Sequence, residues 1–140
     1  MVPMGTASIA TVSVTAHPHT SRCLMLKLAR TLSGRWDPAK PRDRSLGVHP
    51  TVAEWLHKRG VAAVGDEGGT DMSPTPVAGI NSPFHVLALV GMGMPLIENL
   101  DLERLAREAA TRSRWTFLFV AAPLRVQAAT GSALNPLAVF

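Results

Sequence analysis

The 140-residue sequence contains no tyrosine and a single cysteine, Cys23, and its aromatic content is only 5%. One cysteine excludes a disulfide within the chain and is consistent with a reducing compartment. No apolar run reaches the roughly 18 residues that a membrane-spanning helix needs. No lysine or arginine precedes Arg22, so the basic start of a secretory signal is missing. These absences predict a cytoplasmic protein that does not enter a membrane.

Charge is also scarce, since charged residues make up 17% of the chain and apolar residues 46%. This balance supports a packed core and argues against a disordered chain. A sequence of this length forms one domain or a piece of a larger one.

The basic residues are concentrated in the first third of the chain. Residues 1–47 carry seven basic and two acidic side chains, whereas residues 48–140 carry seven basic and eight acidic ones. A nucleic-acid-binding surface is typically more clustered and interleaved with aromatic residues, and here Trp36 is the only aromatic near the basic side chains. The pattern therefore favours a solvated loop over nucleic-acid recognition.

Hydrophobic periodicity and turn signals predict an α/β chain. Residues 49–59 form the clearest helix, because Pro50 suits its first turn and Gly60 its end. Trp55 and Leu56 are among the residues that we expect on its inner face. Residues 23–32 can form a strand or a helix, and the alternation of their leucines favours a strand. The other predicted elements are, in chain order, a loop at 33–47, a strand at 61–64, a long loop at 66–82, a short buried helix at 83–92, a strand or extended segment at 95–98, a helix at 102–112 capped by Asp101, a central strand at 115–122 and an edge strand at the C-terminus.

An imidazole and a carboxylate each lie in a short apolar segment. His85 occurs in the run Pro-Phe-His-Val-Leu, and Glu98 occurs in the run Leu-Ile-Glu-Asn-Leu. An ionisable group among aliphatic side chains is unfavourable unless a partner or a metal neutralises it. The two residues therefore predict a common site, and the alternative for His85 is a hydrogen-bonded histidine of the core.

The long loop carries an acidic cluster formed by Asp66, Glu67 and Asp71. Turn capping and solvation are the favoured interpretation of this cluster, and a wall of a substrate cleft is the alternative. We expect His49 at a helix start for structural reasons and His57 on an exposed helix face.

Several short pieces of the chain occur in an order and spacing found in a known family. They are Gly47–Pro50, Glu54–Leu56, Gly60–Asp66, Pro83–Leu87, Glu98–Leu102, Phe117–Leu124 and Gly131–Ser132. From Gly47 to Phe140 the sequence resembles the C-terminal half of the cyclase family of metal-dependent hydrolases, which includes kynurenine formamidase and isatin hydrolase. Residues 25–36 are similar to the preceding strand and loop of that family, whereas the first residues resemble nothing in it. We therefore expect a poorly matched N-terminal arm at 1–22 and a partial cyclase-like domain at 23–140.

The resemblance implies the C-terminal portion of a swivelling β/β/α domain, with a mixed sheet and flanking helices. It also implies arylformamidase-like hydrolysis of a small amide or cyclic amide, with zinc or manganese as the cofactor. His85 and Glu98 correspond to a late pair of metal ligands, and Glu98 is in addition expected to act in catalysis by orienting the attacking water. The family's other ligands belong to a His-x-Gly-Thr-His-x-Asp-x-Pro-x-His signature. This sequence lacks that signature, and its only other close histidine pair is His17 and His19.

The missing signature leaves a second function open. The chain is then a truncated, non-catalytic remnant that acts by oligomerisation or association. A domain that has lost part of its packing partners exposes apolar surface, and large apolar patches drive association. We therefore expect a homo-oligomer.

Overall fold

The computed structural model describes residues 47–140, together with the backbone of two strands near the N-terminus. The strands are β1 (Val12–Ser13), β2 (Arg22–Leu26), β3 (Val61–Asp66), β4 (Leu96–Ile97), β5 (Leu118–Val120) and β6 (Leu137–Val139). The helices are α1 (Val52–Lys58), α2 (Pro83–His85), which continues as a π-helix over Val86–Gly91, and α3 (Leu102–Thr111). Most of the predicted arm at 1–22 and of the predicted loop at 33–47 lies outside the described residues, so these two predictions stay open.

The first sheet has four strands in the order β1-β2-β3-β4. Strand β1 runs antiparallel to β2, whereas β2, β3 and β4 run parallel to one another. The strand predicted at 61–64 is confirmed and extends to Asp66. Because parallel strands end at one edge of a sheet, the residues that follow β3 and β4 meet at that edge.

Helix α1 confirms the prediction for residues 49–59 with shorter bounds. It ends at Lys58, and Gly60, two residues later, has a φ of +61°, the left-handed conformation that glycine adopts readily after a helix. Leu56 is fully buried, but Trp55, which was expected on the same face, is 42% exposed. The guanidinium of Arg59 lies 3.9 Å from the centroid of the Trp55 ring. This cation–π contact covers the aromatic ring at the surface, where the apolar period predicted burial in the core.

Helix α2 begins at Pro83 as predicted, and the chain then continues as a π-helix over Val86–Gly91. The expectation of a buried helix is wrong for much of this segment. Phe84 and Ala88 are buried, but Val90 is 81% exposed. A continuous aliphatic run has no period that marks an inner face, so the exposed side could not be read from it.

Helix α3 confirms the predicted helix and its cap. The side chain of Asp101 accepts a hydrogen bond from the N–H of Arg104 at 3.4 Å, as the first turn of a helix requires. Leu102 and Ala109 are its buried residues.

The predicted central strand at 115–122 is wrong. Within the described residues, the strand covers only Leu118–Val120 and pairs with β6 in a separate antiparallel sheet of two strands. Phe117, just before it, is buried, whereas Leu118 and Val120 are 58% and 44% exposed. One face of this small sheet packs on the core and the other does not, which a run of apolar residues does not reveal. The edge strand predicted at the C-terminus is confirmed as β6.

Two apolar clusters lie against the two faces of β3. Val64 belongs to the first cluster with Leu56 of α1, and Ala63 packs against the second, formed by Leu102 and Phe117. Successive residues of a strand point to opposite faces, so neighbours in β3 serve different clusters. The described chain is therefore mixed α/β, as predicted, while the swivelling arrangement stays a prediction. Among the described residues, none of the helices has the length and apolar character to cross a bilayer.

Candidate functional site

The candidate site lies at the carboxyl end of β3 and β4. Asp66 is the last residue of β3, and Glu98 follows β4 directly. The register pairs Gly65 with Ile97, so the next residues along the two strands, Asp66 and Glu98, are neighbours. In open parallel sheets, ligands commonly bind at this edge.

His85 reaches the same edge from α2. Its Nε2 atom lies 3.5 Å from Oε1 of Glu98, so the two groups that were predicted to share a site are brought together. The His85 side chain is 33% exposed and the Glu98 side chain 29% exposed. The site is thus partly buried and still open to solvent. The roles of both residues as metal ligands, and of Glu98 in catalysis, stay predictions.

Asp71 contacts the other side of the imidazole. Its Oδ2 atom is paired with Nδ1 of His85, and its carboxylate accepts the backbone N–H groups of Phe84 at 2.8 Å and His85 at 3.1 Å. Asp71 therefore caps the start of α2, 13 and 14 residues along the chain, whereas the prediction was a turn of its own loop. The sequence analysis did not connect it with His85, because a loop residue carries no pattern that identifies a distant partner.

Thr70 was not singled out from the sequence, although it is fully buried beside Glu98. Its backbone N–H and its hydroxyl both donate to Oε1 of Glu98, at 2.6 and 2.7 Å. The N–H of Val48 donates to the carbonyl of Thr70 at 2.7 Å. Gly47 permits this approach, because a Cβ there would lie 2.2 Å from the carbonyl carbon of Asp71. A threonine in a glycine-rich loop gives no sequence signal of these long-range contacts.

Asp66 and Glu67 are only 1% and 5% exposed. Oδ1 of Asp66 accepts the N–H of Gly68 at 2.8 Å, but Oδ2 of Asp66 and Oε1 of Glu67 are buried without a hydrogen-bond partner. The pKa of Asp66 is raised from 3.8 to about 6, chiefly by burial. The charges of Glu67 and Glu98 contribute to this rise, and the hydrogen bond from Gly68 opposes it. The predicted turn capping is confirmed for Asp66, which bonds to the N–H two residues further on. The expectation of solvation is wrong for both residues, since both are buried.

The hydrogen-bond donors determine how His85 faces Glu98. An ionised carboxylate only accepts hydrogen bonds, so the contact with Asp71 places a hydrogen on Nδ1 of His85. A neutral imidazole then presents the lone pair of Nε2 towards Oε1 of Glu98, and two acceptors face each other across 3.5 Å. A proton on Nε2 or a cation beside both atoms makes this arrangement favourable.

The two facing atoms fit part of a divalent-metal site. Two ligand atoms that bind tetrahedral Zn²⁺ at about 2.1 Å lie about 3.4 Å apart, close to the 3.5 Å between Nε2 and Oε1. Metal-bound histidines also commonly donate their other ring N–H to a carboxylate, as His85 does to Asp71. A catalytic zinc normally takes three protein ligands, and residues 47–140 contain no group of three or more His, Cys, Asp or Glu side chains placed to hold a metal. The described residues thus fit two ligand positions and leave the set incomplete.

A cavity of about 1230 Å³ opens beside these groups. His85 and Glu98 lie on its wall, and Leu105 and Phe119 add apolar surface to it. Pockets for small molecules commonly measure about 300–1000 Å³ and are mostly apolar with a few polar groups. The cavity is therefore large enough to bring a small organic molecule to both polar residues.

The other histidines of the described chain lie outside the site. Nδ1 of His49 is hydrogen-bonded to the Thr51 hydroxyl at 2.8 Å beside the start of α1, and His57 is exposed, as expected for both. His17 and His19 fall outside the described residues.

A solved structure of a novel cyclase is similar to this chain, with a TM-score of 0.69 and 27% sequence identity. The similarity covers 84% of this chain but 39% of that protein, so this chain spans well under half of its length. No family model and no curated protein matches the sequence. The likeness supports membership of the cyclase family, and the finer resemblance to kynurenine formamidase stays a prediction.

Proposed function

We propose, on the premise of cyclase-family membership, that this chain contributes His85 and Glu98 to the metal centre of a hydrolase that cleaves a small amide or cyclic amide, as an arylformamidase does. The observation that carries this proposal is the convergence of Nε2 and Oε1 at the carboxyl end of parallel strands, 3.5 Å apart. The remaining ligands come from outside residues 47–140.

Each of the two residues has its own task in this function. His85 presents the lone pair of Nε2 to the metal. Glu98 presents a carboxylate oxygen that also orients the attacking water. A zinc or manganese ion bound by them supplies a water of lowered pKa and a positive charge for the carbonyl oxygen of the substrate. The apolar wall of the neighbouring cavity suits the carbon skeleton of a small amide.

Metal binding and hydrolysis test the proposal together. We expect calorimetric titration of the full chain to show Mn²⁺ or Zn²⁺ binding, and we expect added metal to support hydrolysis of N-formylkynurenine or isatin. His85→Ala and Glu98→Ala should each lower the metal affinity by roughly 100-fold or more, because even the loss of an outer partner of a metal ligand lowers affinity by about 10–100-fold.

His57→Ala is the matched control, since His57 is an exposed histidine outside the site. We expect this variant to keep the metal affinity of the unmodified chain. Metal binding that survives both site substitutions, or that falls equally with His57→Ala, contradicts the proposal. A chain that binds metal but leaves both amides intact contradicts the hydrolytic part alone.

A second candidate function, association through an apolar face, is favoured by the small sheet. Leu118, Val120, Leu137 and Val139 project from one face of it and are 58%, 44%, 56% and 51% exposed. The register places Leu118 opposite Val139 and Val120 opposite Leu137, so these side chains form one continuous patch. Contiguous apolar patches of this kind mark association surfaces. We propose that a second copy of the chain covers this face.

Sedimentation velocity tests this alternative. We expect a dimer or larger oligomer that Val120→Lys dissociates, because the new charge would be buried against an apolar surface. Leu124→Lys is the control, since Leu124 is 62% exposed but lies outside the sheet. A monomer across the accessible concentration range, or equal dissociation by both substitutions, argues against association through this face.

A further inference from the structure

We infer that the adjacent residues Thr70 and Asp71 position the two candidate ligands, Thr70 holding the carboxylate of Glu98 and Asp71 holding the imidazole of His85. The consequence for metal binding rests on the proposed function. The geometry itself does not, because every contact in it joins residues of the described chain.

Thr70 fixes one oxygen of Glu98 with two donors. Its N–H and its hydroxyl converge on Oε1 at 2.6 and 2.7 Å, and Thr70 has no exposed surface of its own. Two hydrogen bonds from one buried residue prevent the carboxylate from rotating away from His85.

Asp71 fixes both the orientation and the tautomer of His85. Its carboxylate accepts the backbone N–H of His85 at 3.1 Å and contacts Nδ1 of the same residue. Because the carboxylate only accepts, Nδ1 carries the hydrogen and Nε2 keeps its lone pair. Only this tautomer can bind a cation through Nε2, the atom that faces Glu98.

Thr70 and Asp71 are themselves held in place by backbone contacts that do not involve His85 or Glu98. Val48 bonds to the carbonyl of Thr70 at 2.7 Å and forms a parallel bridge with Asp71. Gly47 lies so close to Asp71 that any side chain there would clash with its backbone. Supporting residues that are themselves held in place keep a site in its binding geometry.

Nitrogen-15 NMR of the full chain tests the proposed role of Asp71 without any metal. In the neutral ring, which a pH series of the nitrogen shifts identifies, we expect His85 to be the Nδ1–H tautomer. His85→Gln identifies its signals, and the exposed His57 is an internal reference. Asp71→Asn should lower the Nδ1–H to Nε2–H ratio by about tenfold, because a charge-assisted hydrogen bond becomes a neutral one.

Two results overturn the proposed role of Asp71. One is a wild-type His85 that carries its hydrogen on Nε2, and the other is an unchanged tautomer ratio in a folded Asp71→Asn variant. Should that variant fail to fold, the wild-type tautomer decides. A wild-type chain with the Nδ1–H tautomer that binds no Mn²⁺ leaves the positioning geometry standing and contradicts the proposed function.

Carbon-13 NMR tests the proposed role of Thr70 at the side-chain carboxyl signal of Glu98. Thr70→Val removes the hydroxyl and should shift that signal, whereas Thr70→Ser keeps the hydroxyl and should leave it in place. In a chain that binds Mn²⁺, the valine variant should lose about tenfold in affinity and the serine variant much less. Equal carboxyl signals in the valine variant and the wild type overturn this role.

Discussion

Two sets of polar residues at the carboxyl end of the same parallel strands differ in their hydrogen bonding. The first set, here called the partnered cluster, consists of Thr70, Asp71, His85 and Glu98. Each side chain in it contacts another member. In the second set, the carboxyl pair Asp66–Glu67, one oxygen of each residue is buried without a partner.

The difference separates two consequences of burial. A buried carboxyl group with too few donors is harder to ionise, and the pKa of Asp66, whose Oδ2 has no partner, is raised to about 6, chiefly by burial. A carboxyl group that accepts two strong hydrogen bonds, as Glu98 does from Thr70, is held in one position instead. Substitutions in the two sets should therefore change stability in opposite directions.

The largest effect should come from removing the support of the partnered cluster. Phe84 precedes His85, is fully buried and donates its N–H to Asp71 at 2.8 Å. Phe84→Ala should lower the free energy of unfolding by about 3–5 kcal/mol, because a buried ring is replaced by a cavity. Chemical denaturation measures this change. The control Val86→Ala, at a side chain that is 49% exposed, should stay within about 0.5 kcal/mol, and equal effects would show that α2 is not anchored by the core.

Asp66 should give a smaller effect of opposite sign. Its pKa in the folded chain lies above its ordinary value of 3.8, so the folded protein binds this proton more tightly than the unfolded one. The contribution of Asp66 to stability is therefore highest below pH 3.8 and falls as the pH rises through about 6. The full penalty at pH 8 is about 3 kcal/mol, since one pKa unit corresponds to about 1.4 kcal/mol.

Asp66→Asn tests this sign. The amide keeps an acceptor for the N–H of Gly68 but adds buried donors. These donors offset about 1 kcal/mol or more of the stability gained by removing the buried charge. We expect a net gain in stability of up to about 2 kcal/mol at pH 8, and a flatter stability profile between pH 4 and 6. Denaturation at several pH values measures both. A variant with the same pH profile as the wild type would show that Asp66 ionises normally in the fold.

Thr70 should give the converse effect within the partnered cluster. Thr70→Val preserves the shape of the side chain but withdraws the hydroxyl donor from Glu98. A hydrogen bond to a charged group contributes about 1.5–3 kcal/mol, so we expect a loss of that order in the free energy of unfolding. Thr75→Val is the matched control, because the Thr75 hydroxyl donates at 2.8 Å to the neutral carbonyl of Ile80. A larger loss at Thr75 than at Thr70 would contradict the comparison.

Local signals were sufficient to predict several elements of the fold. Gly60 marks the end of α1 and Asp101 the start of α3, and both residues act within one turn of their helix. The burial of Trp55 and of the strand at 115–122 could not be predicted in the same way. What covers an apolar side chain depends on elements distant in the chain, and the small sheet that includes β5 leaves one face open.

The candidate site shows the same division between local and long-range information. The convergence of His85 and Glu98 was predicted, because each is an ionisable residue in an apolar segment and such groups need a partner. Their partners were not predicted. Thr70 lies 28 residues from Glu98 and Asp71 lies 14 residues from His85, and only the folded loop brings them into contact.

Asp101 separates the effect of a partner from the effect of burial, and it should give the smallest change. Its carboxylate accepts the N–H of Arg104 at 3.4 Å, so it has a hydrogen-bond partner, as the members of the partnered cluster do. Unlike the residues of both strand-end sets, however, Asp101 is exposed to solvent. Asp101→Ala should therefore lower the free energy of unfolding by only about 0.5–1 kcal/mol, the usual value of a helix cap. Asp101→Asn is its control and should restore most of the loss, because the asparagine side chain caps a helix as well as aspartate does. Denaturation at pH 8 places both variants beside those at Thr70 and Asp66. Suppose instead that Asp101→Ala lowers the free energy of unfolding as much as Thr70→Val does. Solvent exposure would then not weaken the hydrogen bond of a carboxylate, and the two strand-end sets would differ only in their hydrogen-bond donors.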